Sequence, residues 1–220
     1  MIKLLIPSFT LFALLLSSGA MASSTAMIKV QAILMMGSCT PSLDNGGLLD
    51  FGSFPVDHLY EDTPSGLDSR TINLHITCTE PVALAYTFQD DRSDTLDGGS
   101  SEIASYGFGI GKTATGINIG HFYLYLAGSD APIVNGAPAQ TIYSDDNGAQ
   151  WDVASSSTRA SNSGSNLVSF SDTKDFTHPL TIETAVTELA IHPIVQSRKT
   201  LALTDDQPYE GMATISLIYL

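Results

Sequence analysis

Basic residues, cysteines and tryptophan are scarce in this 220-residue sequence. Nine lysines and arginines stand against 23 aspartates and glutamates, so the formal net charge is −14 at pH 7. A surface of this sign repels nucleic-acid phosphates and anionic lipid headgroups. We therefore expect no nucleic acid among the partners, and we interpret the acidity mainly as a means of keeping the protein soluble.

Long apolar runs are also lacking, except at the N-terminus. The run from Leu4 to Leu16 is shorter than the ~20 residues that a membrane-spanning helix needs. Lys3 precedes it and Ala20-Met21-Ala22 follows it, which is the arrangement of a cleavable secretory signal. We predict that residues 1–22 are a signal peptide and that the exported protein begins near Ser23. Because Lys3 is the one charged residue that is removed, the net charge then changes from −14 to −15.

Cys39 and Cys78 are the two cysteines of the chain. In an exported protein, two cysteines are typically joined in a disulfide. The closed loop of roughly 40 residues would contribute about 4 kcal/mol on the chain-entropy model. A metal or redox pair is less favoured, because there is no Cys-x-x-Cys and His75 is the sole histidine at short spacing.

Sequence motifs for catalysis and phosphate binding are missing or incomplete. Gly107–Thr113 lacks the first glycine of a Walker loop, since Tyr106 occupies that position. Asp145–Gly148 resembles part of a calcium loop, but no glutamate follows at the right distance. The five histidines are scattered, and there is no Gly-x-Ser-x-Gly elbow. We predict no enzyme activity, no catalytic residue, no metal site and no cofactor. Gly107–Thr113 is then predicted to be a glycine-rich strand with a bulge or a close backbone approach. Asp145–Gly148 is predicted to be a solvated turn.

Alternation of apolar and polar residues recurs along the chain and is typical of β-strands. No segment of 10–15 residues has a convincing helical period, so we predict an all-β protein of one domain with many short strands. The Ser- and Asn-rich residues 154–166 are predicted to be an exposed loop. The clearer strands are Met27–Met36, Thr71–Cys78, Val82–Gln89 and His121–Leu126. The weaker ones are Leu48–Phe51, Ala104–Ile110, Thr141–Ser144, Leu167–Phe170, Leu180–Ile191 and Lys199–Leu203.

The last ten residues predict a further strand. One face carries Ala213, Ile215, Leu217 and Tyr219; Thr214 and Ser216 point the other way, where Ile218 breaks the polar pattern. So apolar a strand should be buried on at least one face, yet no later segment of the sequence is available to pair with its far edge. With a second alternating stretch near the N-terminus, this pattern predicts a subunit that completes its neighbour.

Six short segments carry a family resemblance when they are taken in order behind a signal peptide. They are Gly37–Leu43, Leu49–Gly52, Ile76–Cys78, Asp91-Arg92, Tyr106–Gly111 and Gly211–Leu220. In this order the chain resembles a subunit of the chaperone–usher fimbriae of Gram-negative bacteria. The resemblance is greatest to the branch described as probable beta-fimbrial major subunits.

The resemblance implies an incomplete immunoglobulin-like β-sandwich that lacks its final strand. In the family, a periplasmic chaperone lends a strand, and an outer-membrane usher exchanges it for the N-terminal extension of the next subunit. The chain would then be a structural subunit of a fimbria, or pilus, that is exported through the periplasm to the cell surface and supports cell adhesion. Its partners would be neighbouring fimbrial subunits, the chaperone and the usher, and a host or surface receptor is left open.

Residue roles follow from the resemblance. Residues 23–30 would be the donor strand, with Ala26, Ile28 and Val30 entering the neighbour's groove, and residues 31–220 would be the pilin-like domain. The extra length around Gly128 to Phe176 is left open as surface loops or a receptor-binding feature. The strand that the chaperone contacts would comprise Ala213, Ile215, Leu217, Tyr219 and Leu220.

A different class of protein also fits the sequence. A monomeric, secreted β-sandwich could bind a ligand such as a carbohydrate. Aromatic side chains would line its binding surface, although aromatic residues in half-buried strands are more often ordinary sheet packing. The candidates for this surface are Trp151, Tyr106, Tyr123, Tyr125 and Tyr143.

Overall fold

The computed structural model describes residues 37–220, which form an antiparallel β-structure with two short helices. The predicted signal peptide, the donor segment, the strand Met27–Met36 and the start of the 31–220 domain lie outside these residues. All-β architecture, the central prediction for the fold, is confirmed.

Twelve strands are present in the described part of the chain. They are β1 (Cys39–Leu43), β2 (Ser65–Gly66), β3 (Arg70–Asp90), β4 (Gly107–Gly109), β5 (Gly120–Tyr125), β6 (Ile133–Val134), β7 (Ala137–Pro138), β8 (Gln140–Ser144), β9 (Asp152–Val153), β10 (Leu167–Ser171), β11 (Thr181–Val195) and β12 (Ala213–Tyr219). The helices are α1 (Ser101–Tyr106) and α2 (Arg198–Leu201), with 3-10 turns at Asp44–Gly47, Val56–His58 and Ser93–Thr95.

The long strand β3 organises the sheet. Its first part pairs with β11 and β1, and its last part pairs with β12 and β10. Strands β11, β5 and β4 continue the sheet from the first part of β3, and β10, β8 and β9 continue it from the last part. All of these pairings are antiparallel, and one core cluster contains side chains from both parts.

The sequence predicted two strands, Thr71–Cys78 and Val82–Gln89, where the structure has one. Pro81 lies between them but does not break the strand. Proline is tolerated where no ladder hydrogen bond needs its N–H. Pro81 meets this condition, because it lies between the stretch of β3 that pairs with β1 and the stretch that pairs with β12.

The predicted inward face of the first part of β3 is confirmed. Ile72, Leu74, Ile76 and Cys78 are all buried. Cys78 forms the predicted disulfide with Cys39, its direct partner across β1 and β3, with the two Cα atoms 4.0 Å apart. The disulfide therefore holds β1 to the edge of β3.

Serine caps start helices within two of the weaker predicted strands, so Lys199–Leu203 is wrong and Ala104–Ile110 is confirmed only over Gly107–Gly109, which is β4. In Ala104–Ile110 the first half belongs to α1, where Ser100 Oγ accepts the N–H three residues on (3.3 Å). In Lys199–Leu203 most residues belong to α2, where Ser197 Oγ does the same (3.2 Å). Such caps satisfy backbone donors that the first helical turn leaves free. Leu48–Phe51, a third weak prediction, is irregular.

The predicted exposed loop, residues 154–166, is largely an ordered and partly buried ribbon. Asn162 is buried, and its side-chain amide donates to the carbonyls of Ala104 (2.9 Å) and Gly107 (2.7 Å). The carbonyl of Asn162 accepts the N–H of Asp90 (2.8 Å). Buried polar groups need such partners. The ribbon thus fastens the end of β3 to α1 and β4, which composition alone did not reveal.

Candidate functional site

An apolar cleft of about 1070 Å³ opens into the core of the described domain. Protein interiors normally leave few voids larger than a water molecule, so a cleft of this size is a part of the core that the described residues do not fill. Its apolar lining comprises Leu43, Leu49, Phe51, Phe54, Val56, Leu59, Leu67, Ile72, Phe88, Ile110, Ile119, Phe122, Leu124, Leu189, Ile191, Val195, Leu201, Leu203, Tyr209, Met212, Ala213 and Ile215.

Two edge strands border the apolar cleft, and they follow one another along the same edge of β3. β12 pairs with β3 from Asp90 to Leu84, and β1 pairs with it from Cys78 to Leu74. β11 and β10 take the opposite edge of β3. One end of each edge strand lines the apolar cleft, Leu43 in β1 and Ala213 with Ile215 in β12.

Alternation along β12 points three of the four predicted inward side chains toward the core, and the fourth, Tyr219, is exposed. Ala213, Ile215 and Leu217 are half-buried and pack against the core cluster, whereas Thr214 and Ser216 are exposed. At the rim of the apolar cleft, Leu48 is 70% exposed and Met212 is 48% exposed. Large apolar side chains this exposed beside a cleft are typical of an interaction site.

The outer edge of β12 presents unpaired backbone groups. Leu220 N–H donates to Ala83 (3.1 Å), and the carbonyl of Met212 accepts from Asp91 (3.1 Å). Since backbone groups alternate in direction along an antiparallel strand, the even-numbered residues of β12 face β3 and the odd-numbered residues face away. The N–H and C=O groups that face away, which have no hydrogen-bond partner among the described residues, belong to Ala213, Ile215, Leu217 and Tyr219.

The outer edge of β1 presents fewer backbone N–H groups that could pair with another strand. Ser38 faces β3, accepting the N–H of Thr79 (2.9 Å), so the outward positions are Cys39, Pro41 and Leu43. Pro41 has no N–H, and the N–H of Cys39 donates to the hydroxyl of Tyr219 (2.9 Å). A proline on the edge, and an outward N–H that is already hydrogen-bonded, both make it harder for another strand to pair with β1.

The charged residues that line the apolar cleft are acidic. They are Asp50, Asp206 and Glu210, of which Glu210 is paired with Arg92 (2.7 Å). Burial raises the pKa of the lining residue Tyr209, so its phenol stays neutral. The rim therefore favours an occupant that is apolar and carries a cation rather than an anion.

A buried carboxylate lies at the start of β12. Asp90 is directly opposite Ala213 and accepts the N–H groups of Arg92 (2.8 Å) and Gly109 (3.0 Å). Burial raises the pKa of Asp90, although these two hydrogen bonds act in the opposite direction. A Cβ on Gly109 would lie 2.3 Å from the carbonyl oxygen of Arg92. The close backbone approach predicted for the glycine-rich segment is therefore confirmed at Gly109.

A second buried polar group joins β5 to β11. Asp97 accepts hydrogen bonds from Gln196 (2.6 Å) and pairs with His121 Nδ1 (3.0 Å). Burial alone would raise the pKa of Asp97, but the hydrogen bonds from His121 and Gln196 hold it below the usual value. No hydroxyl or thiol among the described residues is hydrogen-bonded to this pair, which ties the segment before α1 to β5 and to the residue that follows β11.

The tyrosines proposed as a sugar platform are partly covered. The guanidinium of Arg159 lies 4.2 Å from the ring centre of Tyr123 and 5.6 Å from that of Tyr125. Glu102 forms an ion pair with the same guanidinium. A cation over the rings occupies the faces on which a sugar would stack.

The predicted solvated turn at Asp145–Gly148 closes on itself. Asp146 accepts hydrogen bonds from the N–H of Gln150 (2.9 Å) and the hydroxyl of Ser144 (2.7 Å), and these lower its pKa. Within residues 37–220, no group of three or more His, Cys, Asp or Glu side chains is placed to hold a metal ion. Within the same residues, no helix is long and apolar enough to cross a membrane.

Sequence reasoning identified β12 but missed much of the lining of the apolar cleft. Two irregular segments, 48–54 and 203–212, supply many of its side chains. Phe51 and Phe54 were the available signal, because large apolar residues in a segment rich in glycine and proline need a buried surface to contact.

Comparison with known proteins adds relatives without a stated function. Residues 28–106 match the family described as "Protein of unknown function (DUF1120)". The chain is 29% identical to "Uncharacterized protein YhcF" of Escherichia coli (strain K12) over 64% of its own length and 65% of that protein, so it spans less than two thirds of YhcF. It is also 26% identical to "Protein GltF" of the same organism, over 84% of each chain. These names state neither an activity nor a partner.

Proposed function

We propose that this protein is a structural subunit of a surface fimbria that polymerises head to tail by donor-strand exchange. The observation that carries the proposal is the apolar cleft beside the outer edge of β12, which has no partner strand within residues 37–220. In this interpretation the domain is an immunoglobulin-like sandwich that lacks one strand, and a second polypeptide provides it.

An added strand would form both backbone hydrogen bonds and apolar contacts with this surface. Its backbone would pair with the free N–H and C=O groups of β12, and each such hydrogen bond contributes about 0.5–1.5 kcal/mol. Alternate apolar side chains would enter the cleft, and burial of each contributes about 1.5–3 kcal/mol. Three such side chains and several hydrogen bonds amount to a strong interaction, which explains how an incomplete domain becomes stable in a polymer.

The donor proposed for this strand is residues 23–30 of a neighbouring copy. Ala26, Ile28 and Val30 recur at every second position, as a strand with one buried face requires. Lys29 is the one charged residue in the segment, and its charge is opposite to that of the cleft rim. Since donor and cleft belong to different surfaces, the contact does not close on itself, and repetition gives a fibre.

A free edge and an open core are an aggregation hazard during export. We therefore include a periplasmic chaperone that covers β12 and an outer-membrane usher that exchanges it. The chaperone would contact Ala213, Ile215, Leu217, Tyr219 and Leu220.

Deletion of residues 23–30 tests the proposal. The deleted chain keeps β12 and the apolar cleft, so we expect it to bind the chaperone and to form no polymers, measured by co-purification and by electron microscopy of the cell surface. A matched control replaces Thr25, which precedes the apolar alternation, with alanine and should polymerise normally. Normal polymers from the deleted chain would contradict the proposal, as would a full chain that is a stable monomer without any partner.

A further inference from the structure

One side-chain hydrogen bond joins the two edge strands that border the apolar cleft. The hydroxyl of Tyr219, in β12, accepts the backbone N–H of Cys39, in β1, at 2.9 Å. The two residues are 180 positions apart in the sequence. Tyr219 is 51% exposed, so this contact is not a consequence of deep packing.

We propose that Tyr219 is a latch that joins the facing ends of β12 and β1 and determines how far a strand added along β12 can extend onto β1. The inference rests on the proposed function, because it concerns the same cleft. It assigns to the Tyr219 hydroxyl a role within this chain that is separate from any contact with a chaperone.

The extent of the cleft agrees with this role. Ala213 and Ile215 line it, whereas Tyr219 and Cys39 do not. In each edge strand the part that lines the unfilled volume is therefore the end far from the latch, Leu43 in β1 and Ala213 with Ile215 in β12.

The backbone donors near the latch also favour a strand that stops before it. On β1, the outward N–H of Cys39 is committed to Tyr219, and the next outward position is Pro41, which has none. On β12, the outward backbone groups of Ala213, Ile215, Leu217 and Tyr219 have no hydrogen-bond partner among the described residues. A strand that ends opposite Tyr219 thus pairs with every outward position of β12 and leaves the latch closed. A longer strand would reach β1, where neither Cys39 nor Pro41 offers a free N–H unless the phenol first leaves Cys39.

Hydrogen exchange at the Cys39 amide tests the latch itself. We compare the full chain, ¹⁵N-labelled and with the disulfide intact, with Tyr219→Phe and with the control Tyr60→Phe. Tyr60 is exposed and lies outside the lining of the apolar cleft, and no described residue is hydrogen-bonded to its hydroxyl. Loss of one hydrogen bond should accelerate exchange at Cys39 about two- to tenfold in Tyr219→Phe and leave it unchanged in Tyr60→Phe. The Thr79 amide, which bonds Ser38, is the internal reference. Equal rates at Cys39 in all three proteins would overturn the latch.

Peptides of two lengths test the limit on the added strand. Fluorescent peptides with the sequence of residues 23–30, either alone or lengthened by several alanines at each end so that the strand reaches the latch in either direction, are added to the same three proteins, and their association rates are measured. We expect Tyr219→Phe to accelerate association of the longer peptide about two- to tenfold and to leave the shorter one unaffected. Identical effects on both peptides would overturn the limit. If neither peptide binds any protein, the proposed function fails, while the exchange rate at Cys39 still decides whether the latch exists.

Discussion

The two edge strands β1 and β12 pair with the same edge of β3, yet their own outer edges differ in how well they are protected against pairing with a further strand. β1 is fixed by a disulfide, has a proline at an outward position and has its Cys39 donor committed. β12 has no such protection among the described residues, and four of its residues present free backbone groups beside an apolar cleft. Edge strands are normally protected against pairing. The contrast supports the proposal that β12, and not β1, pairs with an added strand.

The largest expected effect comes from placing a charge on the inward face of β12. Ile215→Asp puts a carboxylate into the apolar cleft, where burial without a partner is costly, so we expect a loss of at least about 3 kcal/mol in strand binding and no detectable polymer. The matched control is Ser216→Asp, whose side chain is exposed on the same strand. It should change stability by less than about 0.5 kcal/mol. Urea unfolding and surface polymer yield measure both, and equal behaviour of the two variants would reject the inward–outward assignment.

Removal of the disulfide should convert β1 into a weaker edge. The double substitution Cys39→Ala with Cys78→Ala releases a loop of about 40 residues, and we expect a loss of about 2–4 kcal/mol in the free energy of unfolding. Chemical denaturation of the oxidised wild type and of the variant gives this difference. An unchanged midpoint would show that β1 is held by other contacts.

Acid should affect the two edge strands with opposite signs. Hydrogen bonds from His75 and Asn73 lower the pKa of Asp44, which directly follows β1, so its stabilisation is present above about pH 4 and is lost as the pH falls through the lowered pKa. Burial raises the pKa of Asp90, opposite the start of β12, so the protonated form favours folding and this contribution is lost as the pH rises through the raised pKa.

The variants Asp44→Asn and Asp90→Asn separate these two contributions. The free energy of unfolding that Asp44→Asn removes should be smaller at pH 3 than at neutral pH. The free energy of unfolding that Asp90→Asn removes should be larger at pH 3 than at neutral pH. Urea unfolding at several pH values measures both trends. A common sign for the two variants would contradict the contrast.

The smallest effect is expected at Pro41. Pro41→Ala restores an outward N–H on β1 and costs about 0.4–1 kcal/mol through the greater freedom of the unfolded chain. We also expect slight self-association through the newly competent β1 edge, measurable by sedimentation velocity. If association does not change, the hydrogen bond from the Cys39 N–H to the Tyr219 hydroxyl is by itself enough to protect β1 against pairing.

Local patterns in the sequence predicted the strand faces well, because a two-residue period depends on which side of a strand is buried. Ile72, Leu74, Ile76 and the inward residues of β12 were found in this way. The continuity of β3 through Pro81 could not be predicted, since it depends on where β1 and β12 end. The polar ribbon around Asn162 and the cleft lining from irregular segments were missed for the same reason: both depend on contacts between residues distant in sequence.

Protection of the β12 amides on addition of the donor peptide tests the central claim most directly. The experiment compares hydrogen exchange at Ala213, Ile215 and Leu217 in the full chain with and without a peptide of residues 23–30. Our account predicts rapid exchange at all three amides in the isolated chain and strong protection when the peptide is bound. Amides that stay unprotected with the peptide, or that are already protected in the isolated monomer, would contradict it.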